Sequence, residues 1–397
     1  MMVLFTLSGP DRPGITHAIS CLIALFPKTV IQNVGQSALG GWLSLTFSIE
    51  TPDDEWKELE KQLLTISKNL GLHAEIIDQA DNKSLKPSSR YAITLLGNPI
   101  KATALAAVTG LLVRNKINID SLTRLSHSSL KSLELRVSRQ QPLNIESLKS
   151  EILHLSGEHG IDIAVQNDGL FRRSKRLVVF DMDSTLITNE IIDEFARKMN
   201  CMKDVGEITE RAMRGDLDFN SALKLRVSKL KGLTQAEINE VYSGITLTPG
   251  AAELIQMLKL LGLKTAILSG GFDCVVNRFK DKLGVDVAYS NSLEMKNGVA
   301  TGEVIPPIVN AERKAQLLVM IALQEGISLE QVVAVGDGAN DLPMLQKAGL
   351  GIAFNAKPKV REKADLAINQ QDMRNILYLL GISEKDWLKQ PTDIRST

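Results

Sequence analysis

The sequence predicts an α/β chain: a doubly wound parallel sheet with a helical cap, preceded by two ferredoxin-like βαββαβ units. Three observations predict it. The first part of the chain, to about residue 170, runs through one order of elements twice. Beyond it, short wholly apolar segments alternate with helical ones, the pattern of parallel strands covered on both faces. A long helix-rich insert separates the first of those apolar segments from the second.

In the first copy, residues 2–8 read as a strand and 13–25 as a helix. Residues 29–39 and 42–50 alternate around Gly40-Gly41, the mark of a hairpin. Residues 53–69 have helical spacing, and 73–77 close the unit as a strand. The second copy has a strand at 91–97 and a helix at about 101–113. Strands near 117–125 and 132–137, a helix at 145–155 and a strand at 161–165 complete it. The polar stretch from Gln79 to Ser89 is the expected linker. Residues 169–176, GLFRRSKR, read as a basic, solvated joint. The apolar segments that follow are 177–180, 265–268, 285–289, 332–335, 351–354 and 366–368. The expected domains are 1–80, 90–168 and 175–397, with the cap at about 187–247.

Composition narrows the function. A chain of 397 residues exceeds one ordinary core, and 44% hydrophobic with 23% charged residues is globular. Lys plus Arg and Asp plus Glu number 46 each, so no net field draws nucleic acid or an anionic membrane. The first residues lack a basic region, and Asp11 and Arg12 break their apolar run, which argues against a signal peptide. The apolar run at 104–113 is too short to span a bilayer. Three cysteines without CxxC spacing form neither a disulfide framework nor a zinc site. A reducing cytoplasm is the expected setting.

The chemistry concentrates after residue 177. Asp181-Met182-Asp183-Ser184-Thr185 follows an apolar strand directly. In open α/β sheets, reacting groups sit beyond the carboxyl ends of strands. Two carboxylates there suit a metal and a nucleophile; a helix cap is the plainer alternative. A calcium loop fails, because Leu186 stands where it needs Gly and Ile192 where it needs Glu. Gly336-Asp337-Gly338-Ala339-Asn340-Asp341 follows a second strand. Asp341 can also cap the helix at 342–347, with Pro343 in its first turn. Ser269-Gly270 and the following glycine end a third strand, where a hydroxyl and free N–H groups suit phosphate oxygens. Lys314 lies on the helical stretch before the Asp337 strand, as a phosphate partner or a solvated lysine, with Arg313 a competing candidate.

These four signals, in this order, resemble the haloacid-dehalogenase phosphatase superfamily. The resemblance implies Asp181 as nucleophile, with Asp183 as acid and then base. It implies Mg²⁺ on Asp181, Asp337 and the carbonyl of Asp183, with Asp341 behind them and Mn²⁺ an open alternative. Ser269, Gly270, Lys314 and Asn340 would meet the phosphoryl group. Other phosphatase chemistries are excluded. No Cys has an Arg six positions on, all five histidines precede residue 160, and no GxxxxGK[ST] appears.

The cap segment from Met213 to Arg226 resembles that of phosphoserine phosphatases. The resemblance puts Glu190 on the amino group of free phosphoserine, Arg226 on its carboxylate, and Met213 and Phe219 on the apolar wall. Arg226 pairing with Asp216 or Asp218 is the plainer alternative. The run from Leu7 to Ile15 in the first copy resembles the turn of an ACT domain, a ligand-binding regulatory module; a simple helix-capping turn stays open. The second copy has Gly97-Asn98-Pro99-Ile100 there and lacks the Asp-Arg-Pro-Gly run. An L-serine effector and a homodimer are what the ACT resemblance implies. Two alternatives remain: a haloacid-dehalogenase phosphatase or phosphotransferase acting on another small ester, and an amino-acid sensor whose phosphatase half is inactive.

Overall fold

The structure, a computed structural model, describes residues 1–78, 89–127, 131–142, 144–364 and 366–388. The chain forms two compact units, Met1–Lys86 and Pro87–Thr397. The expected linker lies outside the described residues, except for Ser89.

The first unit contains β1 (Met2–Pro10), β2 (Val30–Leu39), β3 (Trp42–Glu50) and β4 (His73–Asp78). They form an antiparallel sheet in the order β2-β3-β1-β4. Val3, Phe5 and Leu7 of β1 point inward, as the two-residue period of a strand requires. They pack with Leu43, Leu45 and Phe47 of β3 beneath the helices Ile15–Ile23 and Asp53–Asn69.

The second unit begins with the same plan. β5 (Ser89–Leu96), β6 (Asn118–Arg124), β7 (Ser132–Arg139) and β8 (Asp162–Asn167) are ordered β6-β7-β5-β8, with helices Ala102–Arg114 and Ile145–His159. Here both faces of β5 are buried. Leu96, Leu125 and Ala164 belong to the same apolar cluster as Ile376, Leu377 and Leu380 near the end of the chain.

The basic joint is not a solvated linker. Arg172 is 4% exposed and donates to Glu134, itself 3% exposed, on β7. Arg173 donates to the same carboxylate at 3.0 Å, and Lys175 donates to the carbonyl of Glu330 at 2.6 Å. A carboxylate on a covered sheet face has lost its water, and the joint supplies the cations it needs.

The seven-stranded sheet of this unit contains β9 (Leu177–Phe180), β10 (Lys264–Phe272), β11 (Val287–Lys296), β12 (Val299–Ile305), β13 (Val332–Gly336), β14 (Leu350–Phe354) and β15 (Leu366–Ile368). Their order is β12-β11-β10-β9-β13-β14-β15. From β9 the chain builds outward on one side through β10, then returns to β13 on the other. That reversal opens a crevice at the carboxyl ends of β9, β10 and β13. The strand expected at 285–289 is longer than the sequence pattern suggested. It continues into an antiparallel hairpin with β12, closed by Asn297 (φ 53°) and Gly298 (φ 77°).

The cap lies between β9 and β10 and holds the helices Ile191–Lys198, Met202–Arg214, Phe219–Ser228 and Gln235–Gly244. Its two legs are joined where Ile187 bridges Leu247. Its far side is stitched to β12: Gly232 N–H donates to Ala300 at 2.9 Å, and Ala300 N–H donates to Leu233 at 2.8 Å. Among the described residues no helix is long and apolar enough to cross a membrane.

Candidate active site

Asp181 directly follows β9 in the crevice and is 4% exposed. Its N–H donates to Val335 of β13 at 2.9 Å, and its Oδ1 accepts from Met182 N–H at 2.7 Å. The chain then turns sharply through Ser184, which has φ 54°. The turn aims Asp183 inward, where its Oδ1 accepts from Ile191 N–H at 2.9 Å. Thr185 donates to Asp337 Oδ1 across the crevice at 3.0 Å. The carbonyl of Thr185 accepts from Thr248 Oγ1 at 2.6 Å.

Lys314 is not a solvated lysine. It is 1% exposed, and its Nζ lies 2.7 Å from Asp181 Oδ1 and 2.8 Å from Asp341 Oδ1. Arg313 instead faces outward and bonds Gln316. Nor does the Asp341 side chain cap the helix Leu342–Lys347. It turns back, and its Oδ2 accepts from Gly338 N–H at 2.9 Å. Gly336 makes room for it, since a Cβ there would lie 2.6 Å from Asp341 Cγ.

Asp181, Asp337 and Asp341 each offer an oxygen within 4.8 Å of the others. Burial, and then Asp341, push the Asp181 carboxyl well above its ordinary range, against the opposing pull of Lys314. Burial and Asp341 likewise push Asp337 up to about 7. Burial alone would pull the Lys314 ammonium down, but Asp181 and Asp341 outweigh it and raise it. Three crowded carboxylates facing one lysine retain negative charge that needs a further cation. An all-oxygen set fits a hard divalent ion such as Mg²⁺. The carboxylate of Asp183 is not in this group among the described residues. Burial, then Glu190, push it up to about 7.

At the end of β10, Ser269 is fully buried and its Oγ accepts from Gly271 N–H at 2.8 Å. A Cβ on Gly271 would lie 2.7 Å from Asp183 Oδ2, so only glycine lets that carboxylate rest against the strand. Gly270 faces the cap, where Phe219 Cζ lies 3.6 Å from the site of a Cβ. Asn340 is half-buried beside Gly338.

The cap residues divide. Glu190 precedes the first cap helix and accepts from Ser184 Oγ at 2.7 Å. Arg226 is half-buried, and its Nε is buried without a hydrogen-bond partner. Burial pulls its guanidinium down, while Asp193, Glu190 and Asp183 pull the other way. It does not pair with Asp216 or Asp218: Asp216 takes Arg214, and Asp218 accepts from Ser221. Met213, expected on an apolar wall, is 69% exposed.

Sequence reasoning missed Thr248, Asn291 and Asn310 as members of this region, and gave Thr185, within the Asp181 segment, no role. Only Asn310 carried a local signal, three residues before Arg313 at a helix start; its Oδ1 accepts from Arg313 N–H at 2.9 Å. In the first unit, the expected ligand turn holds Arg12 on the carbonyl of Leu70 at 2.6 Å. Gly14, with φ 96°, leads the chain into its helix.

Residues 178–346 match the haloacid dehalogenase-like hydrolase family, and residues 1–76 and 89–166 each match an ACT domain. The chain is 40% identical to a phosphoserine phosphatase of Streptomyces coelicolor, over 97% of this chain and 93% of that protein. It is 38% identical to a phosphoserine phosphatase of Mycobacterium tuberculosis, over 96% and 93%. A solved haloacid dehalogenase-family hydrolase from Salmonella enterica serovar Typhi superposes with a TM-score of 0.64 at 33% identity, covering 73% of this chain and 98% of that one. With near-complete coverage at that identity, the chain belongs to the phosphoserine phosphatase family of haloacid dehalogenase-like hydrolases, with two ACT domains ahead of the hydrolase.

Proposed function

We propose that the chain hydrolyses O-phospho-L-serine to L-serine and phosphate, through a phosphoryl group carried on Asp181. The observation that carries this reading is Asp181 itself. It is a buried carboxylate at a strand end, 2.7 Å from Lys314 and grouped with Asp337 and Asp341, under a cap that presents Arg226.

A carboxylate oxygen of Asp181 attacks phosphorus, and the bond to the serine oxygen breaks. Asp183, pushed up to about 7 and so carrying a proton for a substantial share of molecules at neutrality, gives that proton to that oxygen. A water then attacks the phosphorylated Asp181 and gives its proton to Asp183, and phosphate leaves. Ser269, the N–H groups of its glycines and Lys314 stabilise the equatorial oxygens, with Asn340 nearby. Asp181, Asp337 and the carbonyl of Asp183 would hold Mg²⁺, with Asp341 orienting Lys314. When bound, the ion neutralises phosphoryl charge. Glu190 takes the substrate ammonium, and the unpaired guanidinium edge of Arg226 takes the carboxylate. Phe219 supplies apolar wall. Met213 can join it only by turning inward.

The domains in this reading are 1–80, 90–168 and 175–397. The first ACT domain is the candidate site for L-serine feedback, with a homodimer as the working assembly and the cytoplasm as the setting. Phosphate release from L-phosphoserine by wild type and Asp181→Asn, with Mg²⁺ and with EDTA, tests the core of the reading. Turnover that needs Mg²⁺ and vanishes in the variant is expected. Brisk turnover of a different ester would discard the substrate but keep the chemistry. No turnover of any ester would leave a sensor. Added L-serine is expected to slow the reaction, which tests the regulatory half.

A further inference from the structure

A closed ring of contacts joins the cap to the groups at the end of β10. Asn291, fully buried in β11, donates from Nδ2 to the carbonyl of Gly270 at 2.8 Å. Its Oδ1 accepts from Val309 N–H at 2.8 Å. The next residue, Asn310, caps the helix Ala311–Gln324 that carries Lys314 one turn on. The same amide turns its other end to the cap: Asn310 Nδ2 donates to Asn220 Oδ1 at 3.1 Å. Asn220 adjoins Phe219, which comes back against Gly270.

Two asparagines therefore do opposite tasks. Asn291 fixes the Ser-Gly-Gly strand end to the segment before the lysine helix, entirely within the core. Asn310–Asn220 is a single side-chain hydrogen bond across the gap between core and cap. The far side of the cap is held to β12 by backbone bonds, and the Ser228 end of the Phe219 helix lies against Gly302 there, so any lifting of that helix starts at its Phe219 end. We propose that Asn220 and Asn310 form the latch of this cap: their bond forms when Phe219 seats on Gly270. Both are positioning residues. The proposal rests on the phosphatase reading for its kinetic consequence, but not for the latch.

The bond's polarity makes it testable. Asn220 is the acceptor, so Asn220→Asp keeps it and Asn220→Ala removes it. Asn310→Asp keeps the helix-capping oxygen and loses the donor, which separates latch from cap. Hydrogen exchange of the Phe219–Ser228 amides reads the latch without any substrate. Asn220→Ala and Asn310→Asp are each expected to speed exchange there about fivefold, as for the loss of one modest hydrogen bond. The double variant Asn220→Ala/Asn310→Asp is expected to be no faster, and Asn220→Asp to match wild type. In turnover, kcat/KM for phosphoserine is expected to fall by a similar factor in the two single variants, while a small aryl phosphate is little affected. Unchanged exchange in Asn220→Ala, or additive effects in the double variant, would overturn the latch. Altered exchange in a chain that does not turn over phosphoserine would overturn the functional reading and leave the latch standing.

Discussion

Lys314 faces two carboxylates at once, and its removal would leave both buried without it. Breaking a buried pair from one side costs about 3–5 kcal/mol, because the abandoned charge has no water to return to. Lys314→Met is therefore expected to lower stability by about 3 kcal/mol in EDTA, read by urea denaturation. Mg²⁺ is expected to return part of that, since it neutralises the same oxygens. The carboxyls carry a second prediction, in pH. Asp337 is raised from 3.8 to about 7, so the folded chain keeps a proton there that the unfolded chain releases. Below the unfolded value both states are protonated and nothing is lost. As pH rises through the window between the two values, stability falls, and above the folded value it levels off. Asp337→Asn has no such proton, and its Oδ1 still accepts from Thr185. In EDTA the variant is expected to gain on wild type as pH climbs from 4 to 7, in melting temperatures measured side by side. A constant gap would sink the assignment. Residues such as Asp181 and Asp337 were legible in the sequence because each stands at the end of its own apolar strand. The bond from Thr185 to Asp337 was not legible: the two are 152 positions apart, and no local pattern encodes that meeting.

At the scale of elements, the same distinction explains the hairpin and the joint. The apolar signal of the strand stops at 289 because its continuation, SNSLEMK, opens with three polar residues and only then alternates apolar and charged side chains, unlike the fully buried strands beside it. That alternation belongs to an edge hairpin, and Asn297-Gly298 was a readable turn signal for it. The joint at 169–176 was misread for a different reason. Its charge suggested water, but its partner is Glu134 on a strand some forty residues earlier. Burial would push the Glu134 carboxyl up, yet Arg172 and its neighbours Arg173 and Arg136 hold it below its ordinary value. Glu134→Gln is expected to destabilise the second unit by about 3 kcal/mol, because buried Arg172 loses its short bond to Glu134 and keeps only Asp168, at 3.5 Å, as counterion. Adding Arg172→Met to that variant is expected to restore much of the loss, since the poorly paired charge goes with it. Equilibrium denaturation of the two chains settles the matter: equal loss in both would mean the ion pair is not what holds the joint.

At the scale of the whole molecule, two copies of one plan have different standing. The core of the first copy is drawn wholly from its own residues, between Val3 and Leu72. The second copy shares its outer sheet face with the end of the hydrolase, where Leu96, Leu125 and Ala164 join Leu377 and Leu380. Asp162 on β8 adds polar ties, accepting from the backbone and side-chain N–H groups of Asn369 at 2.8 Å each. The order of elements that the two copies share carries no sign of this, because a strand of the second copy is buried on both faces for reasons supplied some 280 residues later. Truncation separates the two roles. A chain beginning at Pro87 keeps every contact of its unit, and is expected to retain Mg²⁺-dependent phosphoserine turnover and its own melting temperature while losing any response to L-serine. A chain beginning after β8 loses the cover over Leu377 and Leu380, each worth about 1.5–3 kcal/mol when fully buried. It also leaves Asn369 without its carboxylate. That shorter chain is expected to melt well below the longer one and to aggregate. If instead both truncations behave alike, the second copy is a removable appendage, and the shared cluster contributes far less than its burial implies.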